Sequence, residues 1–195
     1  MLTVITPADS FDLVDLATVK SQLNVTGNSQ DAKLALWISQ ASAAAMQFCN
    51  RVFVEEVVEE QFRLDHMKLE LVLSRYPVTV LTVTEGPDTL TAGTDYEVDR
   101  SLGLLARLHH DRRCHWSRCK TVVRYSAGYE TVPNDLQRAV VLLVNHFRAT
   151  TTITWNQHRV QHGETAVTMQ DVPTGFDLPP EARALLAQFR NRRTR

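Results

Sequence analysis

The hydrophobic periodicity of this chain changes twice along its length, and this change constrains the fold more than any single motif does. Residues 15–50 carry apolar side chains at the three- and four-residue spacing of amphipathic helices. Residues 52–126 are rich in β-branched residues and are divided by turn signals, which predicts five or six antiparallel strands. Helical spacing returns at residues 133–149. The pattern therefore predicts an α+β fold: a small helical bundle with an inserted antiparallel β subdomain.

Two helices are predicted before the β segment. Asp15 is a suitable N-cap for a short first helix. A second helix is expected from about Gln30 to Cys49, with Asn28 or Ser29 as its N-cap and Asn50 as its C-cap. Its predicted core face consists of Leu34, Trp37, Ile38, Ala41, Ala45 and Phe48.

The third predicted helix, at about 133–149, is apolar on most of its sides. Pro133 stands near its first position, where proline is tolerated. A helix that is apolar nearly all round belongs at the centre of a bundle or in a subunit interface. His146 is interpreted as a core or interface histidine.

The last 45 residues differ in character from the rest. Residues 150–180 are polar and interrupted by glycine and proline, with a hairpin expected within 153–169. A final helix is predicted at about 181–193, and a helix this short is marginal on its own, so it is expected to dock on something. We therefore divide the chain into a domain at 1–150 and a C-terminal arm at 151–195. The docking candidates are Leu185, Leu186, Phe189, Arg190, Arg192 and Arg193.

The composition excludes several classes of protein. Three cysteines are too few for a disulfide scaffold and favour a reducing compartment. No apolar run approaches the length needed to span a bilayer, and residues 1–7 do not form a signal peptide. Glycine-rich phosphate loops, nucleophile elbows and zinc-protease motifs are also missing from the sequence. No cofactor or metal is expected, and the chain is not expected to be an enzyme.

The charge is unevenly distributed along the chain. Residues 1–99 carry 15 acidic and 6 basic side chains, a net charge of −9, whereas residues 100–195 carry 7 acidic and 15 basic, a net charge of +8. If this asymmetry persists in space, the acidic face of one molecule attracts the basic face of the next. The alternative is that folding mixes the charges.

Two charged clusters have more than one interpretation. Residues 109–119 contain three histidines and two cysteines, but the spacing is wrong for a zinc finger and no third group orients a cysteine nucleophile, which favours an exposed basic hairpin or loop. The acids at 55–60 are interpreted as a solvated edge strand, as a docking face or, least favourably, as catalytic carboxylates. The candidates for a subunit interface are Glu55, Glu56, Glu59, Glu60, Arg112, Arg113 and Arg118.

Several stretches, in order, carry a resemblance to a known family. They are 16–23 with 29–51, 71–83 with 96–103, 122–147, and 178–190; the third, which contains Val-Val-Arg-Tyr-Ser-Ala-Gly-Tyr, is the most specific. Together they resemble the head–tail connector, or adaptor, family of tailed bacteriophages and gene transfer particles, in its longer members with a β insertion.

The resemblance implies a structural virion protein that is made in the bacterial cytoplasm and located in the head–tail neck. Its subunits would form a ring, expected to be twelve-fold, beneath the portal protein. The ring would extend the DNA channel without sequence-specific binding and would meet the stopper or tail-terminator protein. The arm would engage the portal.

Two other functions stay open at this point. A tail-terminator or stopper protein would belong to the same neck. A small nucleic-acid-binding protein could use the arginines near 112–118 and at the C-terminus, although the near-neutral pI of 6.7 argues against it.

Overall fold

The structure, a computed structural model, describes residues 1–152 and 178–191, and the chain divides into two units. Residues 1–11 and 51–132 form the β unit, and residues 12–50 and 133–195 form the helical unit. Helices and antiparallel sheets are both present, so the predicted α+β class is confirmed. The division into a domain at 1–150 and an arm at 151–195 stays a prediction, because residues 153–177, including the expected hairpin, lie outside the described residues.

The helical unit is built from four described helices: α1 (Leu16–Gln22), α2 (Asp31–Cys49), α3 (Asn134–Thr152) and α4 (Pro180–Ala187). Helix α3 packs against both α2 and α4. As predicted from its composition, α3 is the apolar centre of this unit, and it runs to Thr152 rather than ending at 149. Its fully buried side chains are Leu136, Ala139, Val140, Leu143 and Val144.

The ends of α1 and α2 follow local side-chain chemistry. The Asp15 carboxylate accepts a hydrogen bond from the Thr18 backbone N–H at 2.6 Å, which lowers the pKa of Asp15 and caps α1. Asn50 ends α2 in the left-handed conformation (φ 48°), as expected. The predicted cap at Asn28 or Ser29 is wrong: Gln30 is the N-cap without a side-chain bond, because the Asn28 amide oxygen instead accepts from Lys20 Nζ.

The predicted core face of α2 is largely correct. Leu34, Ile38, Ala41 and Ala45 are buried as expected, whereas Trp37 and Phe48 are only half-buried. The hydroxyl of Ser42, which is also buried, accepts a hydrogen bond from the Leu13 N–H at 3.0 Å. This bond fixes the segment that precedes α1 against the middle of α2.

The β unit contains nine described strands, more than the five or six predicted. They are β1 (Leu2–Thr6), β2 (Glu56–Phe62), β3 (Glu70–Val72), β4 (Val78–Glu85), β5 (Asp88–Leu90), β6 (Tyr96–Asp99), β7 (Leu104–His109), β8 (Arg112–Cys114) and β9 (Thr121–Ala127). The first sheet has the order β1-β2-β9-β4-β5, and the second has the order β3-β7-β6 with β8 also paired to β7. All the named pairs are antiparallel. The sequence pattern does not predict β1, because five residues are too few for an alternation of polar and apolar side chains to be recognised.

The core of the β unit lies between side chains of the two sheets. Trp116, Tyr125 and Leu105 are fully buried there. The Trp116 indole N–H donates to the Leu105 carbonyl oxygen at 3.3 Å, so its polar atom has a partner. The expectation of an exposed basic hairpin or loop at 109–119 is therefore wrong for Trp116, which is a core residue. The hydrophobicity of a single tryptophan among charged residues gives no periodic signal.

An ion pair links the two sheets. Arg107 of β7 donates to the Glu85 carboxylate of β4 at 3.0 Å, and the Ser117 backbone N–H donates to the other Glu85 oxygen at 2.8 Å. Burial opposes the ionisation of Glu85, but the hydrogen bonds from Ser117 and Arg107 outweigh it and hold the pKa of Glu85 below its usual value. The ionised form of Glu85 therefore stabilises the folded β unit.

Gly128 follows β9 at a point where no side chain fits. Its φ is +120°, and a Cβ there would lie 2.3 Å from the Val54 carbonyl oxygen. We expect Gly128→Ala to lower the free energy of unfolding by about 3 kcal/mol or more, because it combines backbone strain with a clash against backbone. Gly93→Ala is the matched control: it also has a positive φ but open space around the Cβ, so it should cost about 1–2 kcal/mol. Urea unfolding of both variants measures the difference, and equal costs would contradict the steric argument.

The lowered pKa of Glu85 predicts how stability depends on pH. Because the folded state favours the carboxylate, its contribution is complete above the ordinary value of 4.5 and is lost as the pH falls through the lower folded value. Glu85→Gln should be less stable than the wild type above pH 4.5, and the difference should shrink on acidification. Thermal unfolding across this range provides the measurement, and a difference that stays constant with pH would refute the linkage.

Candidate interaction surfaces

The acidic stretch of β2 has two faces with different environments. Glu56 and Glu60 are only 4 % and 6 % exposed, whereas Glu55 is exposed and Glu59 is half-buried. The expectation of a solvated edge strand is wrong for the two buried residues, because β1 pairs with the outer side of β2 and makes it an interior strand. Glu55 and Glu59 stay predictions as interface residues. The carboxylates of Glu56 and Glu60 are instead bound to other residues of the β unit.

The buried carboxylates have hydrogen-bonding partners inside the β unit. Glu56 forms an ion pair with Arg75. Glu60 accepts from the Ser74 N–H at 3.0 Å, from the Ser74 hydroxyl at 2.6 Å and from the Tyr125 hydroxyl at 2.9 Å. Burial, and then the neighbouring Glu60 carboxylate, raise the pKa of the Tyr125 phenol, which keeps it protonated as the donor. These groups form a buried polar network that joins β2 to β9 and to the segment at Ser74–Arg75.

Arg51 is held by aromatic rings of the β unit. Its guanidinium lies 4.0 Å from the centre of the Tyr76 ring and 5.3 and 5.4 Å from those of Phe53 and Tyr129. It also donates two hydrogen bonds to the Tyr76 carbonyl oxygen. Cation–π contacts of this kind stabilise a guanidinium and rigidify its surroundings. This cluster is not evident from the sequence, because Tyr76 and Tyr129 lie 25 and 78 positions from Arg51.

The basic hairpin formed by β7 and β8 is mostly exposed. Its tip, His110-Asp111, has two successive residues with positive φ, and the His109 and His110 rings lie 4.2 Å apart. Arg113 is bound to Glu97 at 2.6 Å and to Glu70 at 3.2 Å. Arg112 and Arg118 are exposed. Of the three predicted interface arginines, Arg113 is already paired, whereas Arg112 and Arg118 form no ion pair with any residue in 1–152 or 178–191.

A shallow groove of about 620 Å³ lies on one face of the second sheet. Its lining residues are Glu70, Glu97, Val98, Asp99, Arg100, Leu104, Ala106 and Arg113. The lining contains three carboxylates and two guanidinium groups, and Arg113 forms ion pairs with Glu70 and Glu97, so its charges are largely balanced internally. The groove is open to solvent and lacks the enclosed, convergent polar groups of a small-molecule site.

The C-terminal docking candidates lie on the helical unit. Leu186 is fully buried, Leu185 and Phe189 are half-buried, and Arg190 is exposed with its guanidinium 5.6 Å from the centre of the Phe48 ring. The Asn191 N–H donates to the Cys49 carbonyl oxygen at 2.8 Å, which anchors the end of the described chain.

The final helix therefore docks on its own chain through Leu186, which cannot serve a partner at the same time. Arg192 and Arg193 lie outside the described residues. Portal docking through the remaining candidates stays a prediction.

The charge asymmetry of the sequence is reduced by the fold. The β unit combines residues from both halves and carries 14 acidic and 11 basic side chains, a net charge of −3, while the helical unit carries 8 acidic and 10 basic, a net charge of +2. The alternative interpretation, in which folding mixes the charges, accounts for most of the asymmetry. Long-range attraction between unlike faces is correspondingly weaker than the sequence suggested.

Neither a metal-ligating cluster nor a membrane-spanning helix occurs among the described residues. Within 1–152 and 178–191, no group of three or more metal-ligating side chains is close enough to hold an ion. Within the same ranges, no helix combines the length and hydrophobicity required to cross a bilayer.

Comparisons with known proteins place the chain in a structural family. A family model described as "Head completion protein" matches residues 12–192. A search of curated proteins gave no significant match. The family and fold are those of a structural neck protein and not of a known enzyme class.

Solved structures with the same fold come from gene transfer agent (GTA) particles. One chain, from the neck of an empty GTA particle computed with C6 symmetry, is 19 % identical with a TM-score of 0.60. Another, from the neck of a native GTA particle computed with C12 symmetry, is 18 % identical with a TM-score of 0.56, and so is a chain from the virion of the native particle. Each alignment covers 100 % of this chain and 97 % of the other. The connector-family resemblance drawn from the sequence is confirmed.

The buried network predicts a contrast between neighbouring glutamates. Glu60→Ala should lower the free energy of unfolding by about 2–3 kcal/mol, because the Ser74 and Tyr125 donors lose their acceptor inside the core. Glu59→Ala, on the other face of the same strand, should change it by no more than about 0.5 kcal/mol. Urea unfolding monitored by tryptophan fluorescence gives both values. A reversed order would mean that Glu60 is not part of the structural core.

Proposed function

The chain belongs to the head completion protein family, and on that premise we propose that it is a structural protein of the head–tail neck of a tailed phage or phage-like particle. The family match over residues 12–192 is the observation that carries this proposal. The fold likeness to chains of GTA necks supports it. The protein acts by assembly and performs no reaction.

We propose further that identical subunits form a ring around the DNA channel, beneath the portal. The C6 and C12 symmetries of the GTA neck structures support a closed ring, and twelve-fold symmetry is the expected number. A ring of identical subunits joins two different surfaces of each chain, so every subunit needs a matched pair of edges. DNA passes through the ring without sequence-specific contacts, and a stopper or tail-terminator protein binds the far side.

We propose that the C-terminal arm makes the contact with the portal. The anchor at Asn191 means that the cationic residues after it begin from a fixed point on the helical unit. Arg192, Arg193 and Arg195 give this end a positive charge that suits acidic side chains on a partner. Leu186 and Ala182 hold α4 in place beneath it, because both are fully buried.

Imaging of intact particles tests the proposed location. Particles assembled with this chain should contain it, and single-particle reconstruction should place it as a ring between the portal and the tail. Its absence from purified particles would overturn the neck assignment. Its presence in a ring that does not touch the portal would favour the stopper or tail-terminator role instead.

Removal of residues 192–195 tests the portal contact without disturbing the described fold. The shortened chain keeps every buried residue of α4, so its thermal midpoint should match that of the full chain. Its binding to portal-bearing capsids should fall by about tenfold, since each lost charged contact contributes roughly 0.2–1 kcal/mol.

Two further variants separate charge from chain length in this experiment. Replacement of Arg192, Arg193 and Arg195 by lysine should retain most of the binding, and replacement by serine should lose as much as the deletion does. Undiminished capsid binding by the shortened chain would show that the portal contact lies elsewhere. Co-sedimentation with portal-bearing capsids is the measurement.

A further inference from the structure

Two open edge segments of the five-stranded sheet, one in β1 and one in β4, have no charged side chains. Strand β1 is at one margin, and within residues 1–152 and 178–191 no strand pairs with its outer side. On the other margin β5 pairs with Val83–Glu85 of β4, so within the described residues no strand pairs with the outer side of Thr79–Thr82, whose inner side pairs with β9. Both segments are uncharged and rich in β-branched residues, Leu-Thr-Val-Ile-Thr in β1 and Thr-Val-Leu-Thr in β4. Val4, Ile5 and Leu81 are exposed by 39 %, 42 % and 51 %.

The other short strands of the β unit carry charged residues. Strand β3 has Glu70, β5 has Asp88, β6 has Glu97 and Asp99, and β8 has two arginines. Proteins commonly protect open edges from pairing with another chain by short length and charge. The two edge segments have no charged side chains, and each contains one irregularity in register, at Ile5 in β1 and at Leu81 in β4. They lie on opposite margins of one sheet.

Backbone N–H and C=O groups of β1 point away from β2, where they can bind another strand. Met1 exchanges both of its backbone hydrogen bonds with Gln61, at 2.8 Å each. Because bonded and non-bonded residues alternate along an antiparallel pair, Thr3 faces β2, and Leu2 and Val4 direct their N–H and C=O groups to the open side. On β4, the Val78 N–H is directed to its open side, where it donates to Arg100, and alternation places Val80 on that side as well.

We propose that β1 of one subunit pairs with Thr79–Thr82 of β4 in the next subunit, so that the sheets of neighbouring copies join edge to edge. This inference rests on the proposed ring. A ring needs two different complementary surfaces on each copy, and the two uncharged edges are such a pair.

The strand directions agree with the proposal. In the order β1-β2-β9-β4 every neighbouring pair is antiparallel, so β1 and β4 run in opposite directions. Rotation of a copy about a ring axis parallel to the strands leaves the strand directions unchanged. Strand β1 of one copy is therefore antiparallel to β4 of the next copy. The side chains also agree: the registers Val4↔Val58↔Tyr125↔Val80 place Val4 and Val80 on the same, core-facing side of the sheet. Joining the edges continues this apolar face from one copy to the next.

Disulfide cross-linking in assembled particles tests the junction. Cys114 and Cys119 are first replaced by serine, which leaves the buried Cys49 as the remaining native thiol. Thr3→Cys is then combined in turn with Thr79→Cys, Leu81→Cys or Thr82→Cys to sample neighbouring registers, since a disulfide requires Cβ atoms about 4 Å apart. We expect at least one combination to give a ladder of covalent oligomers on a non-reducing gel, and each single-cysteine variant to stay monomeric.

Each outcome of this experiment has a defined meaning. Particles that contain the chain but give no ladder with any combination overturn the edge pairing and leave the neck function intact. Dimers from Thr3→Cys alone overturn it in favour of two β1 strands that pair with each other. Absence of the unmodified chain from particles overturns both the neck function and the edge pairing.

A charge on the open edge provides a second test. Val4→Lys should leave the fold unchanged by circular dichroism and reduce the amount of the chain in particles at least tenfold, because lysine at an open edge disfavours pairing. Met67→Lys is the matched control, as Met67 is a loop residue of the β unit with 59 % exposure, and it should assemble normally. Normal assembly of Val4→Lys would overturn the proposal.

Discussion

The pairing of β9 with both β2 and β4 is the interaction on which the β unit depends. All seven residues of β9 pair with β2, and the same strand also pairs with β4 from Val78 to Glu85. Tyr125 at its middle donates to Glu60 and brings the buried polar network into the core. Gly128 just beyond its end allows the backbone to approach Val54. A change that displaces β9 would therefore disturb the sheet, the core and the polar network together.

The buried and the exposed ionisable groups of the β unit differ in whether they have partners within the chain. The buried acids of β2 have partners within the β unit, and Glu85 with Arg107 joins the two sheets. Such groups stabilise only while their partners remain, because an unpaired buried charge is costly. The charges that remain available for assembly are exposed ones such as Arg112 and Arg118. In the proposed ring, attraction between subunits would therefore depend on local surfaces more than on opposite charges of the two halves of the chain.

The proposed neck function has two structural requirements: an anchored C-terminal end that can bind a partner, and surfaces through which identical copies can join. Each of the two units has features suited to one of them. The helical unit buries α4 through Leu186 and holds the chain that leads to the cationic end. The β unit has two edge segments without charged side chains, through which we propose that identical copies continue one sheet. Main-chain hydrogen bonds between copies supply affinity with little dependence on side-chain identity. That property agrees with a fold that this chain shares with GTA neck chains at only 18–19 % sequence identity.

The sequence by itself determined the α+β class, the apolar centre in α3, the Asn50 cap and the connector family, because periodicity and caps depend on residues a few positions apart. It did not predict β1, the buried Trp116, the Arg51 cluster or the burial of Glu56 and Glu60. Those depend on contacts between distant parts of the chain, such as Glu60 and Tyr125, which are 65 residues apart. Only the tertiary structure decided which charges are buried and which strand edges stay open, since both follow from how the strands are ordered in the sheets.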